Sequence, residues 1–210
     1  MEAAYLNDDD AFVLFSNLAN NSTLKKLSIS FCGITSAGWV ACFRQLIDSR
    51  SVLAEMNFEW SLIDDEGVSI LVNLVAGHMD TVSTLKVSGE SISANGWSKF
   101  ANVLVPSSTS KLKTLTIGEC PDPSIHINTD VAIDLVSALA GNTTLEALNF
   151  SIAEYVALWL DALYHDMQWM YAMFKVLCDL SSISSVCQSN HTIHAFQLSD
   201  LGALLAAGME

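Results

Sequence analysis

Two short groupings in this 210-residue sequence have the residue types that acid–base or metal chemistry uses, His165-Asp166 and His191-x-x-His194. Histidine titrates near neutral pH and is a common metal ligand. Neither grouping has the supporting spacing of a known hydrolase or zinc motif. His191 stands in a turn where Asn21-Ser22-Thr23 and Asn142-Thr143-Thr144 occupy comparable places, which reads as a structural turn. Asp64-Asp65-Glu66 is a further acidic run, but Asp64 is placed to cap a helix and the next two acids favour its positive end. There is no Gly-rich phosphate loop, no Gly-x-Ser-x-Gly elbow and no Cys/His ligand set. The expectation is a protein that is not an enzyme and holds no cofactor or metal. The rival is a metal-dependent or hydrolytic enzyme using His165, Asp166, His191 and His194.

A second grouping suits binding better. Phe31 and Trp60 stand just past two short apolar alternations, with Glu55, Asn57 and Glu59 beside them and Lys86 one alternation away. Large aromatic side chains flanked by charge are what binding hot spots use. The competing reading folds Phe31 and Trp60 over strand ends as local core.

The elements that position these residues repeat. Leu24-x-x-Leu27-x-Ile29 recurs as Leu53-x-x-Met56-x-Phe58, Val82-x-x-Leu85-x-Val87, Leu112-x-x-Leu115-x-Ile117 and Leu145-x-x-Leu148-x-Phe150, at intervals of 29, 29, 30 and 33 residues. Ile193-x-x-Phe196-x-Leu198 follows 48 residues later. Ile34, Ile63 and Ile92 come ten positions after their starts, each followed by a capping residue, Thr35, Asp64 or Ser93. Apolar residues then recur at helical spacing, such as Trp39, Cys42, Phe43, Leu46 and Ile47. Each unit reads as a short strand, a turn and a helix of about three turns. Gly38, Gly67 and Gly96 lie three residues past the caps. Helix propensity disfavours glycine there by about 1 kcal/mol, so close approach of a neighbouring unit's backbone is expected.

The pattern L-x-x-L-x-[LIVF]-x-x-[CN]-x-I before a capped helix resembles the ribonuclease-inhibitor-like class of leucine-rich repeats. Leu24, Leu27, Ile29, Cys32 and Ile34 fill it, while Ser61, Glu90 and Ala153 depart at the Cys/Asn place. The Gly38-Trp39 and Gly96-Trp97 pairs and the Ser189–Thr192 run are similar to leucine-rich-repeat families of diatoms and related algae. The resemblance implies an α/β solenoid with a parallel sheet on the concave side and helices on the convex side. It also implies a module that binds a macromolecule and carries no active site of its own. Alternation then places on the concave face Lys26, Ser28 and Ser30, Glu55, Asn57 and Glu59, Thr84, Lys86 and Ser88, Thr114, Thr116 and Gly118, and their later counterparts.

One leucine-rich-repeat domain over residues 1–210 is expected. Residues 1–20 would hold an N-terminal cap helix, with Phe12, Leu14, Phe15 and Leu18 packed and Asp8–Asp10 preparing its start. Regular repeats would fill 21–153, with an enlarged loop at 121–128 and a candidate helix cap at Thr129. Irregular repeats would fill 154–210, with helices between 154 and 180. A structural stretch of a longer array is the remaining alternative.

Composition agrees with a repeated core. Hydrophobic residues make up 51% and charged residues 15%, which excludes a disordered chain. The net charge of -14 argues against nucleic acid or an anionic membrane as partner and leaves a protein. Residues 1–114 carry 8 basic and 12 acidic side chains, and 115–210 carry 1 and 11, the one base being Lys175. A partner docking on that later part would be basic; the competing reading is that these acids serve solvation and solubility alone. The apolar stretch 155–180 is broken by Asp161, His165, Asp166, Lys175 and Asp179, so it reads as buried helix. Five cysteines without paired spacing suit a reducing compartment, and no targeting signal is evident, so a cytoplasmic location is expected. Asn-x-Ser/Thr triplets at Asn20, Asn21, Asn142 and Asn190 are read as turn chemistry rather than glycosylation sites.

Overall fold

A computed structural model of the chain describes residues 6–30, 32–47, 49–77, 81–105, 111–118, 129–139, 142–151 and 195–199. The expected helices between 154 and 180 and the loop at 121–128 lie outside these residues. Strands form where the apolar alternations stand: β1 (Lys26–Ser28), β2 (Glu55–Asp64), β3 (Thr84–Ser91), β4 (Thr114–Gly118), β5 (Ala147–Ser151) and β6 (Ala195–Ser199). They make one parallel sheet in chain order. Its register is that of the sequence repeat, with Lys26, Glu55, Thr84, Thr114, Ala147 and Ala195 successively opposite one another. Leu27, Met56, Leu85, Leu115 and Leu148, one residue on, are all buried.

Backbone hydrogen bonds repeat with the units. One carbonyl before each strand accepts two N–H groups of the next unit. Lys25 accepts from Ala54 and Glu55, Ala54 from Ser83 and Thr84, Ser83 from Lys113 and Thr114, and Lys113 from Glu146 and Ala147, at 2.7–3.0 Å. The Asn-x-Thr turns work as expected: Asn21 Oδ1 accepts from the N–H of Thr23 and Leu24, and Asn142 Oδ1 from Thr144 and Leu145. Asn142 is buried and its amide nitrogen donates to the Leu104 carbonyl at 2.8 Å, which removes it as a glycan acceptor.

The helices are α1 (Asp8–Ala19), α2 (Ser36–Ile47), α3 (Asp65–Gly77), α4 (Ala94–Ser98), α5 (Ala101–Leu104) and α6 (Thr129–Leu139). Thr35, Asp64 and Ser93 cap theirs, each accepting from the N–H of the glycine three residues on. The start of α1 differs from expectation. Asn7 caps it through the Asp10 N–H at 3.0 Å, which places Asn7 on the repeat's cap position. Ala11, Phe15 and Leu18 are buried, but Phe12 is exposed, so only part of the expected apolar set packs. Thr129 lies inside α6 rather than before it.

Asp8 is not only a first-turn acid. Its carboxylate accepts from both the N–H and the hydroxyl of Thr35, each at 2.7 Å. Asp65, one helix start later but one, grips Ser93 in the same way at 2.8 and 2.5 Å. This corrects the reason for the glycines. A Cβ on Gly38 would overlap Asp8 Oδ1 and one on Gly96 would overlap Asp65 Oδ1, so a neighbouring carboxylate, not backbone, fills the space. Gly67 has no such neighbour. Ser36 stands at the corresponding place and donates to the Leu62 carbonyl instead.

The third unit departs from one helix of three turns. From Lys99 to Val103 the N–H groups of Lys99, Phe100, Asn102 and Val103 bond to carbonyls three residues back, and the helix divides into α4 and α5. That tighter winding brings residues three apart into line. Trp97 and Phe100 accordingly stack at 5.7 Å and 27°. The earlier units share a cluster in which Phe15, Trp39, Phe43 and Phe58 meet mostly edge-to-face at 5.2–6.2 Å. Leu24 is 39% exposed although its counterparts Leu53, Val82, Leu112 and Leu145 are buried.

Candidate functional site

The repeat rule breaks in β2. Phe58 lies opposite Val87, but Ser61 lies opposite Gly89 and Asp64 opposite Ser91, so β2 twice takes three steps to two on β3. The extra residues are β-bulges. Up to Phe58 the even-numbered residues face the core. Past the first bulge Ser61 and Ile63 are buried, while Trp60 and Leu62 are 38% and 40% exposed. The chain thus turns two large apolar side chains outward. Trp60 is therefore partly exposed rather than enclosed in the core.

Trp60 has φ 58, and among the described residues no other non-glycine has a positive φ. An L-residue with a Cβ held there costs about 1–2 kcal/mol. Named hydrogen bonds hold the bend. The Trp60 N–H donates to Ser88 Oγ at 2.7 Å, and the Glu59 N–H donates to Asn57 Oδ1 at 3.0 Å. Ser88 is buried, and the space beside it exists because residue 118 is glycine: a Cβ there would overlap Ser88 Cβ. Ser88, Thr116 and Gly118, expected on the open concave face, are therefore closed off. Ser61, at the repeat's Cys/Asn place, is buried with no hydrogen-bond partner for its hydroxyl.

Five of the six nominated residues are placed. Glu55, Asn57, Glu59 and Trp60 follow one another along β2, and Lys86 lies opposite Asn57 on β3. Phe31 lies outside the described residues. Glu55 pairs with Lys26 at 2.8 Å, both side chains well solvated. In the same row Lys86 is followed by Thr116, whose hydroxyl accepts from Asn149 at 3.3 Å. Leu62 was not singled out by the repeat reading, because strict alternation from Phe58 makes it a core residue.

Chemistry of other kinds finds little support among these residues. His165, Asp166, His191 and His194 lie outside them. Among the described residues no three His, Cys, Asp or Glu side chains gather as a metal would need. Cys32 and Cys42 are free thiols. Burial first, then the charge of Asp8 and the neighbouring Cys32, push the Cys42 thiol up to about 12, so it is inert as a nucleophile at neutral pH. No described helix is long and apolar enough to cross a membrane.

The Leucine Rich repeat family matches residues 20–41. No curated protein matches the sequence. Among solved structures the fold is similar to that of "Leiomodin-1 Actin-Binding Site 2 (ABS2)", with a TM-score of 0.56 and 14% identity, covering 78% of this chain and 89% of that one. At that identity the likeness is one of fold. The strand–helix register, the in-order parallel sheet and the family match over one unit together give this chain a leucine-rich-repeat fold.

Proposed function

We propose that this protein is an interaction module that binds another protein through its concave sheet face, with Glu55, Asn57, Glu59 and Trp60 on β2 and Lys86 on β3 as contacts. The observation that carries this reading is Trp60, a large aromatic side chain kept partly exposed on a backbone conformation that disfavours it. Strained residues persist where the surroundings over-determine them, and such places cluster at binding sites. Burying an exposed tryptophan and leucine against a partner supplies apolar area beside charged and amide groups, the composition of a hot spot.

The period near 29 supports the ribonuclease-inhibitor-like class for the repeats. The free Cys32 and Cys42 fit a reducing, cytoplasmic setting, and the net charge of -14 disfavours nucleic acid and anionic membrane as partners.

The test is quantitative affinity capture of partners by wild type, Trp60→Ala and Glu59→Lys, each first shown to melt alike. Actin belongs among the purified proteins tried, since a structure of similar fold is named for an actin-binding site. The expected result is a partner held by wild type and lost by both variants. Equal capture of every partner by all three proteins would overturn the concave site.

A further inference from the structure

The geometry points to Lys86 as the residue that sets the specificity of the concave site, taking a carboxylate from an extended partner segment whose apolar side chain packs on Trp60 and Leu62. This inference rests on the concave face being the binding surface. Lys86 is half-buried at the middle of the sheet, with the neutral Asn57 on one side and the neutral Thr116 on the other. The chain has 23 acidic side chains to 9 basic ones, so acids are plentiful. Lys26, Arg44 and Lys113 each take one, forming ion pairs at 2.7–2.8 Å with Glu55, Glu66 and Glu146 of the following unit. Lys99 donates to the Asp65 carbonyl. Lys86 forms no ion pair among the described residues, although it stands where the same cross-unit pairing was available. The residue opposite it on β4 is Thr116, where Lys26 has Glu55 and Lys113 has Glu146 close by.

Spacing gives the rest of the partner's chemistry. Asn57 faces Lys86, while the Trp60 N–H bonds to Ser88, two residues further along β3. Two residues along a strand cover about 6.6 Å and one strand across covers about 4.8 Å. The Lys86 and Trp60 backbones therefore lie roughly 8 Å apart on the diagonal. Alternate side chains of an extended peptide, about 6.7 Å apart at their roots, bridge that distance with their own length. The occupant is thus an extended segment with Asp or Glu two residues from a Leu or aromatic side chain. Bare acidity is insufficient, because the net charge of -14 repels an acidic chain that lacks the local apolar contact.

Selection of random displayed peptides on the full chain tests this, followed by binding titrations of the selected peptides. Wild type, Lys86→Gln, Lys86→Glu and Trp60→Ala are compared after their thermal melts are shown to match. The expected sequences carry Asp or Glu two positions from Leu, Phe or Trp. They should bind Lys86→Gln and Lys86→Glu at least about tenfold more weakly, and a Glu-to-Lys change in the peptide should restore binding to Lys86→Glu. Peptides that lose binding with Trp60→Ala but not with either Lys86 variant would overturn the role of Lys86 and leave the concave surface standing. Peptides indifferent to all three variants, or selection of none with the acid–apolar spacing, would overturn both.

Discussion

The joints between units and the outer half of β2 follow opposite rules. At the joints one device recurs: a carboxylate at a helix start, Asp8 or Asp65, holds the backbone and hydroxyl of the next cap, Thr35 or Ser93, and a glycine leaves it room. From residue 59 to 64 the device is a breach of the repeat, with two bulges, a left-handed Trp60 and outward Trp60 and Leu62. Recurrence serves stacking, since each unit buries its apolar side only against its neighbours. The breach still pairs with β3 and buries Ser61 and Ile63, but it also leaves Trp60 and Leu62 partly in water. It is where binding is to be sought.

The contrast is sharpest in the core beside each region. Leu85→Ala on β3 removes a side chain buried on the repeat's inner row and should destabilise the protein by about 2–5 kcal/mol, read from denaturant unfolding. Trp60→Ala, at a partly exposed site, should change stability by less than about 1 kcal/mol while abolishing partner capture. Comparable losses of stability from both would erase the distinction.

The joints themselves provide a finer comparison. Gly38→Ala and Gly96→Ala drive a methyl group into a carboxylate already held by two hydrogen bonds and should each destabilise by about 1–3 kcal/mol. Gly67→Ala meets Ile63 Cγ2 at 3.1 Å and Asp64 Oδ1 at an ordinary contact distance of 3.6 Å, and the gain in helix propensity of about 1 kcal/mol should leave it near neutral. If thermal melts place all three together, the carboxylates are not what crowds the site.

Ser61→Cys replaces a buried hydroxyl without a partner by the residue type that Cys32 provides at the same repeat position. A gain of about 1 kcal/mol is expected, and an unchanged denaturation midpoint would show that the hydroxyl is satisfied in solution. Nil at neutral pH and confined to alkaline conditions is the effect of Cys42. Burial holds its folded thiol up at about 12, against an ordinary value of 9.0 that the unfolded chain regains. The unfolded chain therefore loses its proton first, and stability should fall as pH rises between the two values, full stabilisation being present below the lower one. The Cys42→Ala variant should lack this alkaline component when melts at neutral and alkaline pH are compared.

Much of the fold was legible in the chain itself. The register at the start of all six strands, the caps Thr35, Asp64 and Ser93, and the buried row from Leu27 to Leu148 follow from alternation and helical spacing, which are local. Leu24 shows the limit of the same rule. It fits the motif yet stays exposed, because burial depends on what lies against a residue and not on its place in the motif. Of the candidate site, the cluster on β2 and Lys86 could be named from spacing, but Leu62 could not, since one inserted residue reverses inside and outside for every residue after it.

By itself, then, the sequence determined the unit: a strand of period two, a capped helix and the interval at which both return. Tertiary structure decided how units meet. Asp8 finds Thr35, Asp65 finds Ser93 and Trp60 finds Ser88 across 27 to 28 residues. No pattern within a unit encodes those pairings. Whether Trp60 turns inward or outward depends on the room that Ser88 and Gly118 leave on the neighbouring strands. Packing between units settles that geometry, because the Ser88 side chain must fit between the Trp60 N–H and the backbone of residue 118.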